Sequence, residues 1–256
     1  MAMKPIAIAF CSLLLLDGRA EGLVGGAPLA TDDIARSVVG IVGPRHSFCT
    51  ATAIAHNVVL TAGHCMQPGT KYKVQYKDKN GLRNFADIVA WERPPQFIMR
   101  TNGPAADLAL LKLVDPLPAD IGVAILGLQH NPIWPGDRFT VIGGGVALKG
   151  LHETGINRIA TLVATGPYTD LQIRLIDLPG KQITMSACAG DSGSPVFQTQ
   201  TDGTKVIGVV SWTAGPYKLK GCGGITGATP LWPYRQWIEE TVSKFGGILG
   251  TDVAPK

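Results

Sequence analysis

The sequence predicts an all-β protein built of two antiparallel halves, barrels or sandwiches, closed by a single C-terminal helix. Three observations carry that reading. The 256 residues include 32 Gly and 18 Pro, which punctuate elements and sit badly inside helices. Short strand-forming runs recur between turn signals, at spacings that suit antiparallel sheets rather than βαβ crossovers. The stretch 115–136, with Pro116, Pro118, Pro132 and Pro135, reads as a crossing between two halves, each roughly 110 to 120 residues long and large enough for a domain. With 45% hydrophobic and 16% charged residues, the chain is too apolar for disorder. Its balance of 23 basic to 19 acidic residues, a net charge of +4, does not demand nucleic acid.

The first 22 residues stand apart from the fold. Lys4 precedes an apolar run of 11 residues, 6–16, and small residues follow at Gly18, Ala20 and Gly22. Such a run is too short to span a bilayer but suits a signal peptide. Residues 1–22 are therefore expected to be a signal peptide, or residues 1–20 followed by the dipeptide 21–22 as a propeptide. Export to the extracellular space or periplasm follows, with no membrane attachment afterwards. Cys11 lies inside the apolar run rather than after it, which argues against a lipidated N-terminal cysteine. Removal of the leader leaves Cys49, Cys65, Cys188 and Cys222, an even count that favours two disulfides in an oxidising compartment. Zinc on Cys49, His56, His64 and Cys65 is the rival, but adjacent His64 and Cys65 do not fit the usual paired-ligand spacings.

Strands are expected near 57–62, 72–79, 108–114, 138–142, 156–163, 171–176, 195–198 and 206–212. In the second of these, Tyr72, Val74 and Tyr76 alternate with Lys71, Lys73, Gln75 and Lys77. That pattern describes a half-buried strand with a basic, solvated outer face, which could also meet an anionic partner. Pro233 opens the helix, Tyr234, Trp237, Ile238, Thr241 and Phe245 form one face, and Gly246 stops it. The helix is expected to pack on a barrel. The halves divide at 23–133 and 134–256.

Three segments carry the chemistry. Thr61-Ala62-Gly63-His64-Cys65 places a histidine directly after a β run. Asp107-Leu108-Ala109-Leu110-Leu111-Lys112-Leu113 places a carboxylate at the mouth of an apolar strand. Cys188-Ala189-Gly190-Asp191-Ser192-Gly193-Ser194-Pro195 places a serine among small residues that let backbone N–H groups point inward. A hydroxyl is a weak nucleophile until a base takes its proton, and an imidazole is an effective base only when its tautomer and orientation are fixed. Ser192, His64 and Asp107 can supply those functions together, although each alone is uninformative. A lipase-type elbow is not supported, because Ser194 stands where Gly-x-Ser-x-Gly needs its second glycine and the acid precedes the nucleophile. Gly143-Gly144-Gly145 does not make a dinucleotide fingerprint, because Leu148 occupies the third glycine position.

The His, Asp, Ser order of these segments resembles the trypsin/chymotrypsin-like serine peptidases. The resemblance spans nearly the whole mature chain. It starts at Leu23-Val24-Gly25-Gly26, includes Gly143-Gly144-Gly145 and Ser211-Trp212, and ends with the Trp237-Ile238 helix. It implies two six-stranded antiparallel β-barrels with a C-terminal helix, and a secreted, monomeric endopeptidase acting on protein or peptide substrates without metal or cofactor. Carried over by residue, Ser192 would be the nucleophile, His64 the base and then the acid, and Asp107 the residue that holds His64. Ser211 would add a hydrogen bond near that carboxylate, and the N–H groups of Gly190 and Ser192 would form the oxyanion hole. The resemblance also implies disulfides Cys49/Cys65 and Cys188/Cys222, and a pairing of Asp191 with the freed amino group of Leu23.

The chain departs from the family pattern at several positions. Gly63 replaces the usual Ala, Ser194 the usual Gly, and Thr50-Ala51 a common Gly pair; these small-for-small changes are expected to spare the triad. Substrate choice is expected to rest on Ser186 at the pocket floor, on Trp212 beside it, and on Thr213 and Thr226 as walls. Ser186 offers no charge and Thr213 stands where a Gly leaves the pocket open, so small or medium uncharged residues should fit. The loop 213–221 looks longer than usual and carries Lys218 and Lys220. A catalytically silent binding protein on the same fold is the competing function, and it usually lacks a triad member.

Overall fold

A computed structural model describes residues 23–99, 105–145, 154–165, 172–178, 184–215 and 222–250. The expected leader, Lys218, Lys220 and Leu171 at the start of one expected strand lie outside the described residues.

The first six strands are β1 (Val38–Val42), β2 (Phe48–Ala55), β3 (Val58–Thr61), β4 (Lys73–Lys77), β5 (Arg83–Glu92) and β6 (Ala109–Leu113). They close into an antiparallel barrel in the order β1-β2-β3-β6-β5-β4. The next six are β7 (Arg138–Gly143), β8 (Arg158–Ala164), β9 (Ile173–Ile176), β10 (Pro195–Gln200), β11 (Gly203–Ala214) and β12 (Ile225–Pro230). They close a second barrel in the order β10-β11-β12-β9-β8-β7. Closure leaves neither sheet with an unpaired edge. The two six-stranded barrels and the terminal helix are the architecture the sequence implied.

Period-two alternation assigns the side chains to two different cores. In β3, Val59 points into the first lumen with Val39, Ile41, Ala53 and Leu111. Its neighbours Val58 and Leu60 point outward into a shared layer between the barrels, where they meet Ile142, Phe197, Val206 and Val209 of the second barrel. The second lumen holds Phe139, Val141, Leu162, Ile173, Leu175 and Val196. Strands apolar on both faces result, which is why residues 58–60 of β3 and 109–111 of β6 read as unbroken hydrophobic runs.

Four strands lie outside the sequence expectation, and each has a physical reason. β1 and β2 are buried almost throughout, so they lack an amphipathic period. β12 (Ile-Thr-Gly-Ala-Thr-Pro) carries Gly and Pro. β5 alternates in exposure over most of its length, but two of its large apolar residues face water, Phe85 at 50% and Val89 at 58% exposed, while Ile88 and Trp91 pack on the first barrel's core. Gln75, expected on the solvated face of β4, is only 5% exposed. Residue 155 covers it so closely that a Cβ there would lie 2.2 Å from Gln75 Nε2.

Segments before β1 and after β12 tie the two barrels together. Leu23 and Ala27 are buried in the second barrel's core, with bridges from Val24 to Ser186 and from Leu29 to Arg158. Helix α1 (Arg235–Lys244) packs Ile238 and Val242 into the shared layer against Val58 and Leu60. Pro233 lies in a 3-10 turn, Trp232–Tyr234, so α1 begins after it. Gly246, at φ +72°, ends the helix in the left-handed region glycine tolerates. Among the described residues no helix is long and apolar enough to cross a membrane.

Candidate active site

β3 and β6 pair from Val58↔Lys112 to Thr61↔Ala109, which brings the segment after β3 beside the one before β6. His64 lies in the 3-10 turn Gly63–Cys65, and Asp107 is fully buried two residues ahead of β6. Asp107 Oδ1 accepts the His64 backbone N–H at 2.8 Å, and Oδ2 lies 2.7 Å from His64 Nδ1. A carboxylate can only accept, so Nδ1 carries a proton, and in the neutral imidazole Nε2 then holds the lone pair. Ser211 of β11 donates to the same Oδ2 at 2.5 Å. The imidazole is thereby fixed in tautomer and orientation, while its side chain stays 25% exposed.

Ser192 sits in a tight turn within the 188–194 loop. Asp191 N–H donates to Cys188 O and Ser194 N–H to Asp191 O, both at 3.0 Å. Gly190 and Gly193 have φ of +88° and +87°, a region that disfavours any side chain. At Gly193 a Cβ would also lie 2.0 Å from Thr50 O. Among the described residues, the N–H groups of Gly190 and Ser192 have no acceptor, and the Ser192 hydroxyl has no partner. One sulfur lies beside both segments: Cys65 Sγ is 3.9 Å from His64 Nε2 and 3.9 Å from the Ser192 backbone O.

Asp191 turns the other way, into the protein. Its Oδ1 accepts Gly145 N–H at 2.9 Å, and its Oδ2 accepts Cys188 N–H at 2.9 Å and Leu23 N–H at 3.3 Å. Burial nonetheless pushes its pKa from 3.8 up to about 6, against the pull of those three donors. Gly143 and Gly145 are required by this packing, since a Cβ at either would lie within 2.6 Å of Asp191 Oδ1.

Disulfides link Cys49 to Cys65 and Cys188 to Cys222. They brace the histidine turn and the serine loop. Cys49, His64 and Cys65 are the one cluster of possible metal ligands among the described residues, and its two sulfurs are spent on the disulfide, leaving no thiolate to bind zinc. His56 is not part of it.

Ser186, Thr213 and Thr226 also come together. Ser186 is buried, and its hydroxyl donates to Ala187 O at 2.9 Å and accepts Gly223 N–H at 2.6 Å. Thr213 and Thr226 are direct cross-strand partners, so their side chains leave the sheet on the same face. Thr226 Oγ1 accepts Ala187 N–H at 2.9 Å, tying β12 to the 186–188 segment. Trp212 lies over its cross-strand partner Gly227, where a Cβ would be 2.0 Å from the indole.

Two features around the site went unrecognised in the sequence. Thr50 touches the serine loop with both its backbone and its side chain. Behind the dyad, the Phe97 ring occupies the space a Cβ on Gly63 would need, 2.8 Å away. Phe97 and Trp91 hold the Arg93 guanidinium at 4.3 and 4.9 Å from their ring centroids. Burial lowers the Arg93 pKa while Asp107 and Tyr72 raise it. The signal was Gly63 itself, a missing methyl that makes room for an aromatic ring.

Residues 24–238 match the family model described as Trypsin, and the chain belongs to that family. Its relatives include the vitellin-degrading protease of Bombyx mori, 25% identical over 86% of this chain and 86% of that protein. The factor V activator of Macrovipera lebetinus is 26% identical over 76% of this chain and 77% of its own length. Among solved structures, a mutant of human heparin binding protein superposes with a TM-score of 0.69 at 20% identity, covering 89% of this chain and all of that one. That likeness speaks to fold alone. The family and its named proteases support a peptidase that acts on proteins.

Proposed function

We propose that the protein is a secreted serine endopeptidase with Ser192, His64 and Asp107 as its triad. The observation that carries the reading is the chain of hydrogen bonds from Ser211 through Asp107 to His64, next to a serine loop with two unpaired amides. His64 Nε2 takes the Ser192 proton as Oγ attacks the scissile carbonyl carbon. The carbonyl oxygen becomes an oxyanion that receives the Gly190 and Ser192 N–H groups, donors that are useful because nothing in the ground state occupies them. The intermediate collapses as His64 hands its proton to the leaving amine, giving an acyl-enzyme, and water repeats the sequence to release the acid.

The residue before the scissile bond is proposed to be small or medium and uncharged. Ser186 carries no charge and both its hydroxyl roles are occupied, while facing threonines at 213 and 226 shorten the slot. Maturation is proposed to follow export, with Leu23 exposed by the signal peptidase and its ammonium inserted beside Asp191. Secretion is supported by the disulfides, which persist in oxidising compartments.

Ser192→Ala tests the reading. Folding should be retained and peptide hydrolysis should fall at least ~10³-fold, with loss of fluorophosphonate labelling. A wild-type protein that neither hydrolyses peptides nor takes the label would instead be a silent binding protein on this fold.

A further inference from the structure

We propose that Thr50 is a positioning residue for the oxyanion hole, holding the serine loop of the second barrel in register with the histidine of the first; this rests on the peptidase reading above. Thr50 belongs to β2, and no part of it is exposed. Its Oγ1 donates to Gly190 O at 2.9 Å and accepts Gly144 N–H at 3.1 Å. Its backbone N–H donates to Ser192 O at 2.8 Å. Its own carbonyl accepts the Thr61 hydroxyl at 2.7 Å, which ties the contact to β3, the strand that ends at the histidine turn.

The consequence follows from peptide planarity. A peptide unit held at its oxygen and at its N–H has no freedom left to turn. The Gly190–Asp191 unit is held by the Thr50 hydroxyl at its oxygen and by Cys188 O at its N–H. The Ser192–Gly193 unit is held by Thr50 N–H at its oxygen and by Val210 O at its N–H. These two units flank Asp191 and Ser192, so one residue of the first barrel restrains both. Gly190, at φ +88°, is the joint at which this loop would otherwise turn most easily. The Gly190 N–H itself belongs to the preceding 189–190 unit, so the hydroxyl sets its direction through the Gly190 φ and ψ rather than by planarity. Without the hydroxyl those dihedrals are freer, the N–H can swing away from a developing oxyanion, and the buried Gly144 N–H loses its acceptor. A glycine at position 50 would keep the Thr50 backbone bond and lack both side-chain bonds, so the hydroxyl adds a restraint specific to this residue.

Thr50→Val removes the hydroxyl and keeps the shape, Thr50→Ser keeps the hydroxyl, and Thr50→Ala serves should the valine protein fail to fold. The expected result for Val or Ala is a kcat reduced about 10- to 30-fold with KM within about 3-fold. Affinity for a peptidyl trifluoromethyl ketone, which forms a tetrahedral adduct on the serine, should fall in proportion, and Thr50→Ser should lie within about 3-fold of wild type on each measure. Hydrogen exchange at Gly144 N–H, which needs no activity, should accelerate at least about 10-fold in Val or Ala and not in Ser. Unchanged kcat and unchanged exchange in Val or Ala would overturn the proposal. So would equal losses of kcat in Ser and Val, or a loss confined to KM. A wild-type protein without turnover but with the exchange pattern intact would remove the peptidase reading and leave the restraint on the loop standing.

Discussion

Asp191 offers the sharpest test of the proposed maturation, because its charge would be stabilised differently before and after Leu23 became a chain terminus. While Gly22 remains attached, Leu23 presents Asp191 with a neutral peptide N–H at 3.3 Å. Burial then holds the carboxyl at about 6 rather than 3.8. The folded pKa is raised, so between about pH 4 and 6 the folded state keeps a proton that the unfolded state has released. Stability from this group therefore falls as pH rises through that window. Moving the carboxyl from 3.8 to about 6 corresponds to about 3 kcal/mol. Freed, the Leu23 ammonium would stand beside Asp191 Oδ2 and favour the carboxylate, removing most of that loss. For a chain of this size 1 kcal/mol moves Tm by about 2–4 °C. The assay compares thermal unfolding of protein beginning at Glu21 with protein beginning at Leu23, both carrying Ser192→Ala to prevent autolysis. The gap between them should widen by roughly 6–12 °C from pH 4 to pH 7 in favour of the Leu23 form. Asp191→Asn should abolish the pH dependence of that gap. A gap that is the same at both pH values would refute the reasoning.

Other expectations follow from the same contacts. A peptide library should show cleavage after Ala, Val and similar side chains, and dominant cleavage after Arg or Lys would overturn the pocket assignment; Thr213→Gly with Thr226→Gly should extend acceptance to Leu or Phe. Gly63→Ala would restore the family's usual residue, yet its Cβ would lie 2.8 Å from both Leu108 O and the Phe97 ring. Overpacking should cost about 1–3 kcal/mol in a denaturant titration, and a neutral result would mean Phe97 moves freely. N-terminal sequencing of freshly secreted protein should begin at Leu23, whereas an inactive chain beginning at Glu21 would establish a zymogen.

The parts of this fold legible in the sequence are those whose partners are close in the chain or whose chemistry is rare. The segments around His64, Asp107 and Ser192, each uninformative alone, stand out together by their residue types and their order. β4 and β6 announce themselves by alternation or by a short apolar run. β1 and β2 do not, because two apolar neighbours, a lumen and a second barrel, erase the period that a single solvated face would write. β5 carries large apolar residues on both faces, Phe85 and Val89 toward water and Ile88 and Trp91 toward the core, so its pattern marks no single buried side. Around the site the same logic holds at the scale of single side chains. Thr50 and Gly63 are visible as departures from a family pattern but read as small-for-small changes, since what each does depends on a residue 140 positions away in one case and 34 in the other.

The two long-range hydrogen bonds at the centre run in opposite directions. Ser211 of the second barrel donates to Asp107 beside the first, and Thr50 of the first barrel donates to Gly190 in the second. Each barrel thus holds a residue of the other's part of the candidate site. The apolar layer between them, with Val58, Leu60, Phe197 and Val209 in one cluster, is non-directional and tolerates small slides. Hydrogen bonds weaken steeply once their angle or length departs from the optimum. Burial therefore brings the barrels together, and the Ser211 and Thr50 contacts favour, among the slides that burial would accept, the one in which His64 and the serine loop lie side by side.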